Sequence, residues 1–474
     1  MPRRMAAKWP PRRQTTPQPS RKKKTRAAGL IGSRAALAAW TAVQLVLLST
    51  PAPAGGPQTF QFALQNGMQV VVIPDHRAPV VTQMLWFKVG GMDDPPGLSG
   101  LAHFFEHMMF RGTKAAPGDE FSRTVARNGG RDNAFTTHDY TAFYEQIAKD
   151  RLPMAMALEA DRMANLDLSD RNVSTERNVV LEERRMRVDG DPQALFAEQI
   201  EAALHLSHPY GRPVIGWPEE VRHIGRLEAQ DFYKHHYAPN NAIMVVAGDI
   251  SVDEVRKDAQ EAFGKVPARE LVPRAAYAEP PRLGETRLAI SRPDVEVPLF
   301  MRVYRVPSYA EAAPGQAEAL ETLAQLLGGD STSTLYRKLV VERHLATSAG
   351  ASFDGYARDS GEFEIYAYPR PGVSLAALEG AIDGILAGAA RTPPNARDLS
   401  RAKTQLVASA TYRRDSQFAM ASAYGQALVI GLTAYDVRAW PDRIQAVTAE
   451  QVRKAAKESL IKREAVSATL TPGK

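Results

Sequence analysis

The sequence predicts an α+β fold built from two related α/β sandwich domains. Three observations lead to this prediction. Runs of predicted strands are followed by runs of predicted helices, without the strict strand–helix alternation that accompanies a parallel sheet. The order of elements in residues 55–266 recurs weakly in residues 284–474. About 420 residues follow a basic leader, which is enough chain for at least two domains.

The leader, residues 1–54, differs in composition from the rest of the chain. It contains eleven Lys and Arg and no acidic residue, so the formal charge of +6 over the whole chain becomes −5 over residues 55–474. A basic stretch, an apolar stretch over residues 35–48 and an Ala-Pro-Ala end at Ala54 predict a secretory signal peptide. We therefore expect cleavage near Ala54 and export to a bacterial periplasm. An uncleaved anchor or a disordered basic tail is the alternative.

Composition excludes several classes of protein. With 44% hydrophobic and 24% charged residues, the chain has the composition of a soluble globular protein, and no apolar run suits a multi-span membrane protein. The basic excess lies in the leader, so we expect no nucleic-acid surface. The chain has no Cys and therefore no disulfide, thiol nucleophile or thiolate ligand. Any metal must be held by His and carboxylate side chains.

The first half begins with a predicted hairpin. Strands at residues 59–64 and 68–73 flank Asn66-Gly67, a dipeptide typical of a tight hairpin turn. The later predicted elements follow in chain order: a strand at 80–89, a helix after residue 100, a helix at 120–127, strands within 133–147 and a helix at 152–165.

The second half repeats this order. The predicted elements are strands at 287–291 and 299–306, helices at 315–327 and 334–341, strands within 348–368 and a helix at 374–386. The stretch 267–283, rich in Pro, Ala and Arg, is the expected linker between an N-terminal domain (55–266) and a C-terminal domain (284–474). The helix at 315–327 contains no His, so we expect catalysis only in the first half.

The helix after residue 100 carries the string His-Phe-Phe-Glu-His at residues 103–107. Residues four apart share one helix face, so His103 and His107 can hold a metal ion, and Glu106 borders the same face. Buried His and Glu side chains need partners, which a metal would supply. Ser99 is the expected N-cap and Gly112 the expected helix stop. Chance is the alternative, although His-x-x-Glu-His is the inverzincin signature.

A zinc site with two His needs a third ligand, usually a carboxylate, and keeps one position for water. Glu176 and Glu183 lie two helical turns apart on one predicted stripe and are the candidates. A solvated acidic face beside neighbouring arginines is an equally good interpretation of that stretch. His138 could compete as a ligand, but its polar surroundings predict a surface residue. The pair at 235–236 is predicted to be packed or exposed rather than a site.

Five stretches resemble the pitrilysin/insulinase family of zinc metallopeptidases, the inverzincins, which include the mitochondrial processing peptidase subunits. The stretches are 97–113, 129–137, 176–183, 208–216 and 237–249. The resemblance covers essentially everything after the leader. It implies a clamshell of two LuxS/metallopeptidase-like sandwich domains, and a zinc-dependent endopeptidase that hydrolyses peptides or unfolded polypeptides.

The resemblance also implies a role for each site residue. The implied zinc ligands are His103, His107 and Glu183. Glu106 is the implied general base that activates a zinc-bound water, and Glu176 is a supporting catalytic carboxylate. The run from Asn133 resembles the edge strand on which the substrate backbone pairs, so Asn133 and Ala134 are assigned to substrate binding. By itself, Asn133 is more typical of a turn.

One segment of the second half departs from the family pattern. Active single-subunit relatives carry an Arg and a Tyr seven residues apart, which contact the substrate and help to hold the tetrahedral intermediate. Val340 and Thr347 stand at those positions here. The resemblance therefore implies a homologous subunit that carries the Arg and Tyr, with a homodimer as the alternative. A non-catalytic structural or assembly subunit on the same fold is the second functional hypothesis.

Overall fold

The computed structural model of the protein describes residues 58–473. The predicted signal peptide and its cleavage site near Ala54 lie outside the described residues. In the described part, no single helix is long and apolar enough to cross a membrane. Helices Gln417–Val429 and Ala434–Ala446 reach that length and hydropathy only as a pair, which is bent by 105°.

The first half of the chain contains one sheet and the helices that pack on it. Its strands are β1 (Phe60–Ala63), β2 (Gln69–Pro74), β3 (Val80–Phe87), β4 (Arg131–Thr136), β5 (Thr141–Ala148) and β6 (Ala242–Gly248). Its helices are α1 (Leu101–Met108), α2 (Glu120–Arg127), α3 (Leu152–Asn165), α4 (Asp170–Arg184), α5 (Pro192–Leu204), α6 (Pro218–Val221), α7 (Arg226–His236) and α8 (Val252–Phe263).

The second half contains the other sheet. Its strands are β7 (Thr286–Arg292), β8 (Leu299–Pro307), β9 (Ala346–Asp354), β10 (Ser360–Pro369) and β11 (Ala465–Pro472). Its helices are α9 (Gln316–Gly328), α10 (Leu375–Arg391), α11 (Ala396–Arg413), α12 (Gln417–Val429), α13 (Ala434–Ala446) and α14 (Ala449–Ser459). The α-helix predicted at 334–341 instead forms a π-helical segment, Tyr336–Glu342.

Without the hairpin strand β1, the six-stranded first sheet has the same topology as the five-stranded second sheet, which confirms the predicted internal repeat. The first has the strand order β1-β2-β6-β3-β5-β4 and the second has β7-β11-β8-β10-β9. In each, the first repeat strand pairs parallel with the last (β2 with β6, β7 with β11), and the other repeat strands pair antiparallel. Helix α9 follows β8 as α1 follows β3, so it occupies the predicted place.

The predicted N-terminal hairpin is also present. β1 pairs antiparallel with β2, with Phe60 opposite Val72. Gly67 has φ of +88°, a left-handed conformation that favours glycine at a tight turn. The Asn66 amide donates hydrogen bonds to the carbonyls of Phe263 (2.8 Å) and Val266 (3.0 Å), which fixes the turn against the end of α8.

One helix from each half packs against the sheet of the other half. Helix α12 covers the face of the first sheet that α1 does not occupy, where it packs against Met84 and Trp86. Helix α5 packs its Phe196 and Ile200 against β8 and β11 of the second sheet. Residues 267–283, the predicted linker, contain neither helix nor strand. Each half therefore contributes one helix, α5 or α12, to the hydrophobic core of the other half.

Candidate metal centre

Helix α1 presents its two His side chains on one face while the rest of the helix is buried. Leu101, Phe104 and Phe105 belong to the core of the first half. The rings of His103 and His107 lie with their centroids 4.8 Å apart, as expected for positions one turn apart. Apolar burial of the other faces therefore fixes the orientation of the His pair.

The N-terminus of α1 is capped differently from the prediction. Gly100, with φ of +90°, is the N-cap residue, and the Asp94 carboxylate accepts hydrogen bonds from the backbone of Gly100 (2.7 Å) and Ala102 (2.8 Å). The Ser99 hydroxyl instead accepts from the backbone N–H of Trp217. At the other end α1 stops at Met108, four residues before Gly112. The predictions for Ser99 and Gly112 were therefore wrong, because the cap comes from a side chain outside the helix.

Helix α4 packs beside α1 and brings Glu183 to the His pair. Glu183 Oε2 lies 2.9 Å from His107 Nε2 and 3.8 Å from His103 Nε2. One ligand atom from each of the three residues lies within 4.8 Å of the others. Glu176, on the same helix, is 1% exposed. The alternative of a solvated acidic face is therefore wrong for these two glutamates.

Glu176 contacts His107 at Nδ1, the ring nitrogen that does not face Glu183. Glu176 Oε1 lies 2.8 Å from His107 Nδ1, and its other oxygen accepts a hydrogen bond from the Arg111 guanidinium. When Nδ1–H donates to a carboxylate, Nε2 keeps the lone pair that a metal requires, which is the usual support for a His ligand. Burial opposes ionisation of Glu176, but His107 and Arg111 keep its pKa below the ordinary value.

The donor set fits a divalent metal. Glu183 Oε2 is buried 2.9 Å from His107 Nε2, and His103 Nδ1 is buried without a hydrogen-bond partner among the described residues. Burial and the neighbouring His107 lower the pKa of His103 to about 3, so it is neutral. Burial disfavours charge on His107, but Glu176 and Glu183 raise its pKa to about 9. A positive charge is therefore favoured between the carboxylates of Glu176 and Glu183. A metal ion that replaced the His107 proton would meet two neutral imidazoles and one carboxylate, a ligand set that suits zinc.

Glu106 is next to the three potential metal ligands but is not one of them. The Thr136 hydroxyl, at the end of β4, donates a 2.7 Å hydrogen bond to Glu106 Oε2. Burial raises the pKa of Glu106 above its ordinary value, against the effect of this hydrogen bond. A carboxylate with a raised pKa next to a metal site is suited to accept and return a proton. Sequence reasoning did not assign Thr136, although it lies in the stretch resembling the edge strand.

Among the described residues, strand β4 is the edge of the first sheet, so one of its sides has no strand partner there. Asn133 and Ala134 both lie in this strand, which rules out a turn at Asn133. The Asn133 side-chain carbonyl accepts a 2.9 Å hydrogen bond from the backbone N–H of Ala134. Ala134 packs against the core on the α1 side. The contact between β4 and α1 brings this edge close to the metal-binding group.

The remaining His residues named from the sequence lie outside the group. His138 is half-buried, not a surface residue, because its Nε2 lies 3.0 Å from the Arg212 carbonyl and its ring packs against Tyr210. His236 packs against Phe232, and burial lowers its pKa to about 4. His235 is half-buried, as the prediction of a packed or exposed pair allowed.

The two positions that depart from the family pattern offer no substitute for Arg and Tyr. Val340 is 8% exposed and belongs to the core of the second half. Thr347 is exposed on β9, where its hydroxyl donates to the Tyr368 carbonyl at 3.3 Å. Neither side chain can supply a guanidinium or a phenol.

Comparison with known proteins gives consistent matches. The family model described as Insulinase (Peptidase family M16) matches residues 69–217, and the model described as Peptidase M16 inactive domain matches residues 223–406. The zinc protease PqqE of Helicobacter pylori is 29% identical over 333 residues, which are 70% of this chain and 74% of that protein. An uncharacterized zinc protease of Mycobacterium tuberculosis is 33% identical over 321 residues, 67% of this chain and 71% of that protein.

A solved structure shares the fold. The crystal structure of a protease from Helicobacter pylori matches with a TM-score of 0.82 at 26% identity, and covers 88% of this chain and 100% of that chain. The shared architecture is a clamshell of two α+β domains, as predicted. The match of an inactive-domain model to the second half agrees with the absence of a His-x-x-Glu-His string there.

Proposed function

Because the chain belongs to the insulinase family of peptidases, family M16, we propose that it is a zinc-dependent endopeptidase that hydrolyses peptides or unfolded polypeptides. The convergence of His103, His107 and Glu183 carries this proposal, since their ligand atoms lie within 4.8 Å of one another. Glu106 lies on the same helix as the two His and can act as the proton acceptor. Relatives named zinc proteases support the choice of metal.

The residues of this chain have distinct roles in the proposed reaction. Zinc, when bound, supplies a Lewis acid that lowers the pKa of a water molecule and polarises the scissile carbonyl. Glu106 takes the proton of the attacking water and gives it to the leaving amine. Thr136 holds one Glu106 oxygen, which leaves the other for the water. The free edge of β4 at Asn133 and Ala134 would receive the substrate backbone as an added strand.

Metal content and hydrolysis test the proposal together. We expect about one zinc per purified chain, and loss of that zinc in Glu183→Gln, because one of three ligands is removed. Glu106→Gln should keep its zinc while peptide hydrolysis falls about 100- to 10,000-fold. Elemental analysis and a quenched-fluorescence peptide assay measure the two quantities. Full zinc in Glu183→Gln, or near wild-type turnover in Glu106→Gln, would contradict the assignment.

We also propose that a homologous subunit carrying the Arg and Tyr completes the site. The core position of Val340 and the short side chain of Thr347 support this, because a homodimer would have the same gap in both copies. The composition of residues 1–54 supports export to a bacterial periplasm. Sequencing the N-terminus of protein from the cell envelope tests export, and a mature protein that begins before residue 35 would contradict it.

A non-catalytic structural or assembly subunit is the second candidate function. The observation that favours it is the departure at Val340 and Thr347. A scaffold needs no metal, so the intact group of His103, His107, Glu183 and Glu106 favours the peptidase. Zinc binding without hydrolysis, in the presence of every homologous chain of the host, would favour the scaffold.

A further inference from the structure

A cavity of about 470 Å³ lies in the second half, between α11, α12 and α13. Its volume falls in the range of ligand-binding pockets. Helix α12, which forms one wall, packs on the face of the first sheet opposite α1. The cavity is therefore separate from the metal-binding group.

Most of the cavity wall is apolar and aromatic. Phe418 and Tyr424 come from α12, Trp440 comes from α13, and Tyr356 comes from the loop after β9. Aromatic walls of this kind provide a large apolar contact area with little loss of conformational freedom, while the phenols can still hydrogen-bond. Ser422 also lines the cavity, and its hydroxyl lies 3.6 Å from Met84 Sδ. The wall thus suits an apolar group attached to a polar backbone.

Three guanidinium groups surround this apolar wall: Arg413, Arg414 and Arg438. Among the described residues, none of the three forms an ion pair with a carboxylate. Arg413 lies over the Trp440 ring, with 6.0 Å to its centroid, and Arg438 donates to the Thr59 hydroxyl. The neighbouring carboxylate of Asp415 is already paired with Arg77, at 2.8 Å.

The acidic group that lines the cavity does not balance these charges. Glu321 Oε2 accepts hydrogen bonds from the Trp440 indole (3.0 Å) and from the Tyr309 hydroxyl. Burial raises the pKa of Glu321 above its ordinary value. Arg414 is half-buried, and Arg413 and Arg438 are exposed. Three guanidinium groups without a paired carboxylate beside one cavity are therefore available to an external anion.

We propose that this cavity binds the carboxyl terminus of a peptide that ends in an apolar residue. The terminal carboxylate would lie between Arg414 and Arg438, where Arg offers paired N–H donors to a carboxylate. The apolar side chain would pack against Phe418 and Trp440. A peptide is favoured over a fatty acid because the phenols and Ser422 can bind backbone amides, which an acyl chain lacks. Only the choice of a peptide as the occupant rests on the proposed function.

The test uses the zinc-loaded full chain with Glu106→Gln, so that the probe stays intact. The probes are acetyl-Gly-Ala-Leu-Phe with a free carboxylate and the same peptide as its amide, and titration calorimetry measures their affinity. We expect the free acid to bind at least tenfold more tightly than the amide. Arg414→Gln and Arg438→Gln should each remove most of that preference. The control Arg397→Gln, at the exposed start of α11, should leave it unchanged.

Three results would overturn the proposal. The acid and the amide could bind equally, the preference could survive both Arg414→Gln and Arg438→Gln, or laurate could bind at the arginines while the peptide does not. The last result would assign the cavity to fatty acids. Mass spectrometry of the probe separates this test from the proposed function. Hydrolysis of the probe by the Glu106→Gln protein would count against the role of Glu106, whereas binding reports on the cavity.

Discussion

Three of the side chains around the metal-binding group have one atom held by the protein and another left free. His107 is held at Nδ1 by Glu176, Glu183 is held at Oε1 by Arg187 (2.6 Å), and Glu106 is held at Oε2 by Thr136. The free atoms, His107 Nε2 and Glu183 Oε2, face the same point. Such support orients a site before metal or substrate arrives.

The hydrogen bond from Thr136 gives a prediction at this scale. Thr136→Val keeps the shape of the side chain and removes the donor, so the Glu106 carboxylate loses its fixed orientation. We expect kcat/KM to fall about 2- to 10-fold, the equivalent of one lost hydrogen bond, with zinc content unchanged. Thr124→Val, whose hydroxyl bonds Glu120 on the surface of α2, is the control and should keep full activity. Unchanged kcat/KM in Thr136→Val would mean that this bond does not orient the base.

Single residues differed in how far the sequence could predict them. The pairing of His103 with His107 follows from local helix geometry and needed no structure. The position of Glu183 at the site depends on the packing of α4 against α1. The sequence around Glu183 therefore fitted a metal ligand and a solvated acidic face equally well. Asp94 and Thr136 act on α1 from outside it, and no local periodicity reveals such partners. The site is therefore predictable where its geometry lies within one helix.

At the scale of elements, the predictions worked best where the hydrophobic period was clear. The bounds Glu120–Arg127 and Leu152–Asn165 agree with the predicted helices. β6 and β11 were missed, although both complete the repeat by lying between its other strands. β6 is buried on both faces and reads as a continuous apolar run, which has no strand period to detect. No pattern in the sequence indicated that α5 and α12 each pack against the sheet of the other half.

The contact of α12 with the first sheet depends on Gly425. A Cβ built on Gly425 would approach Trp86 to 2.1 Å, so α12 could not keep its position. Gly425→Ala should lower the thermal midpoint, even though Gly to Ala inside a helix ordinarily stabilises by about 1 kcal/mol. Gly384→Ala on α10, where a Cβ meets nothing within 4 Å, is the matched control and should raise the midpoint slightly. Equal shifts in the two variants would contradict close packing at Trp86.

A carboxyl pair between α5 and β10 predicts a dependence of stability on pH. Burial and Glu201 raise the pKa of Glu362 from 4.5 to about 8, and burial raises that of Glu201 to about 7. The folded state keeps its protons where the unfolded state has lost them, so the free energy of unfolding falls as pH rises from about 4.5 to about 8. Glu362→Gln should make this fall shallower in urea titrations.

The control for that measurement is Glu261→Gln, at an exposed position on α8. It should leave the pH dependence of the wild type unchanged. A wild-type protein that unfolds equally readily at pH 5 and pH 8.5 would show that the carboxyl pair is ionised in the folded state. The same conclusion would follow if the free energy of unfolding of Glu362→Gln fell with pH as steeply as that of the wild type.

At the scale of the whole molecule, the proposed reaction needs an Arg and a Tyr that positions 340 and 347 do not supply, and that we propose a homologous chain provides. Losing one preorganised donor for the oxyanion costs about a hundred- to a thousand-fold in rate. We expect the isolated chain to hydrolyse peptides at least a hundredfold more slowly than its mixture with a homologous chain carrying the Arg and Tyr. Peptide hydrolysis at varied mixing ratios measures this difference.

Restoring the pair in this chain is a complementary measurement. Val340→Arg with Thr347→Tyr should raise hydrolysis if copies of the variant complete each other's site. Because Val340 is in the core, thermal melting must accompany the assay, and Thr347→Tyr alone serves as the variant at an exposed position. Rapid hydrolysis by the unmodified chain, with no gain from either the partner or the restored pair, would refute the need for a second subunit.

The exchange of α5 and α12 has a consequence for how the polypeptide reaches its native state during biosynthesis. Met84 and Trp86 are made early, yet the helix that covers them begins only at residue 417. An N-terminal fragment released at the linker would leave that apolar sheet face open to water. Burial of this sheet face therefore waits for nearly complete synthesis, which exposes the nascent chain to aggregation for longer and makes holding chaperones valuable.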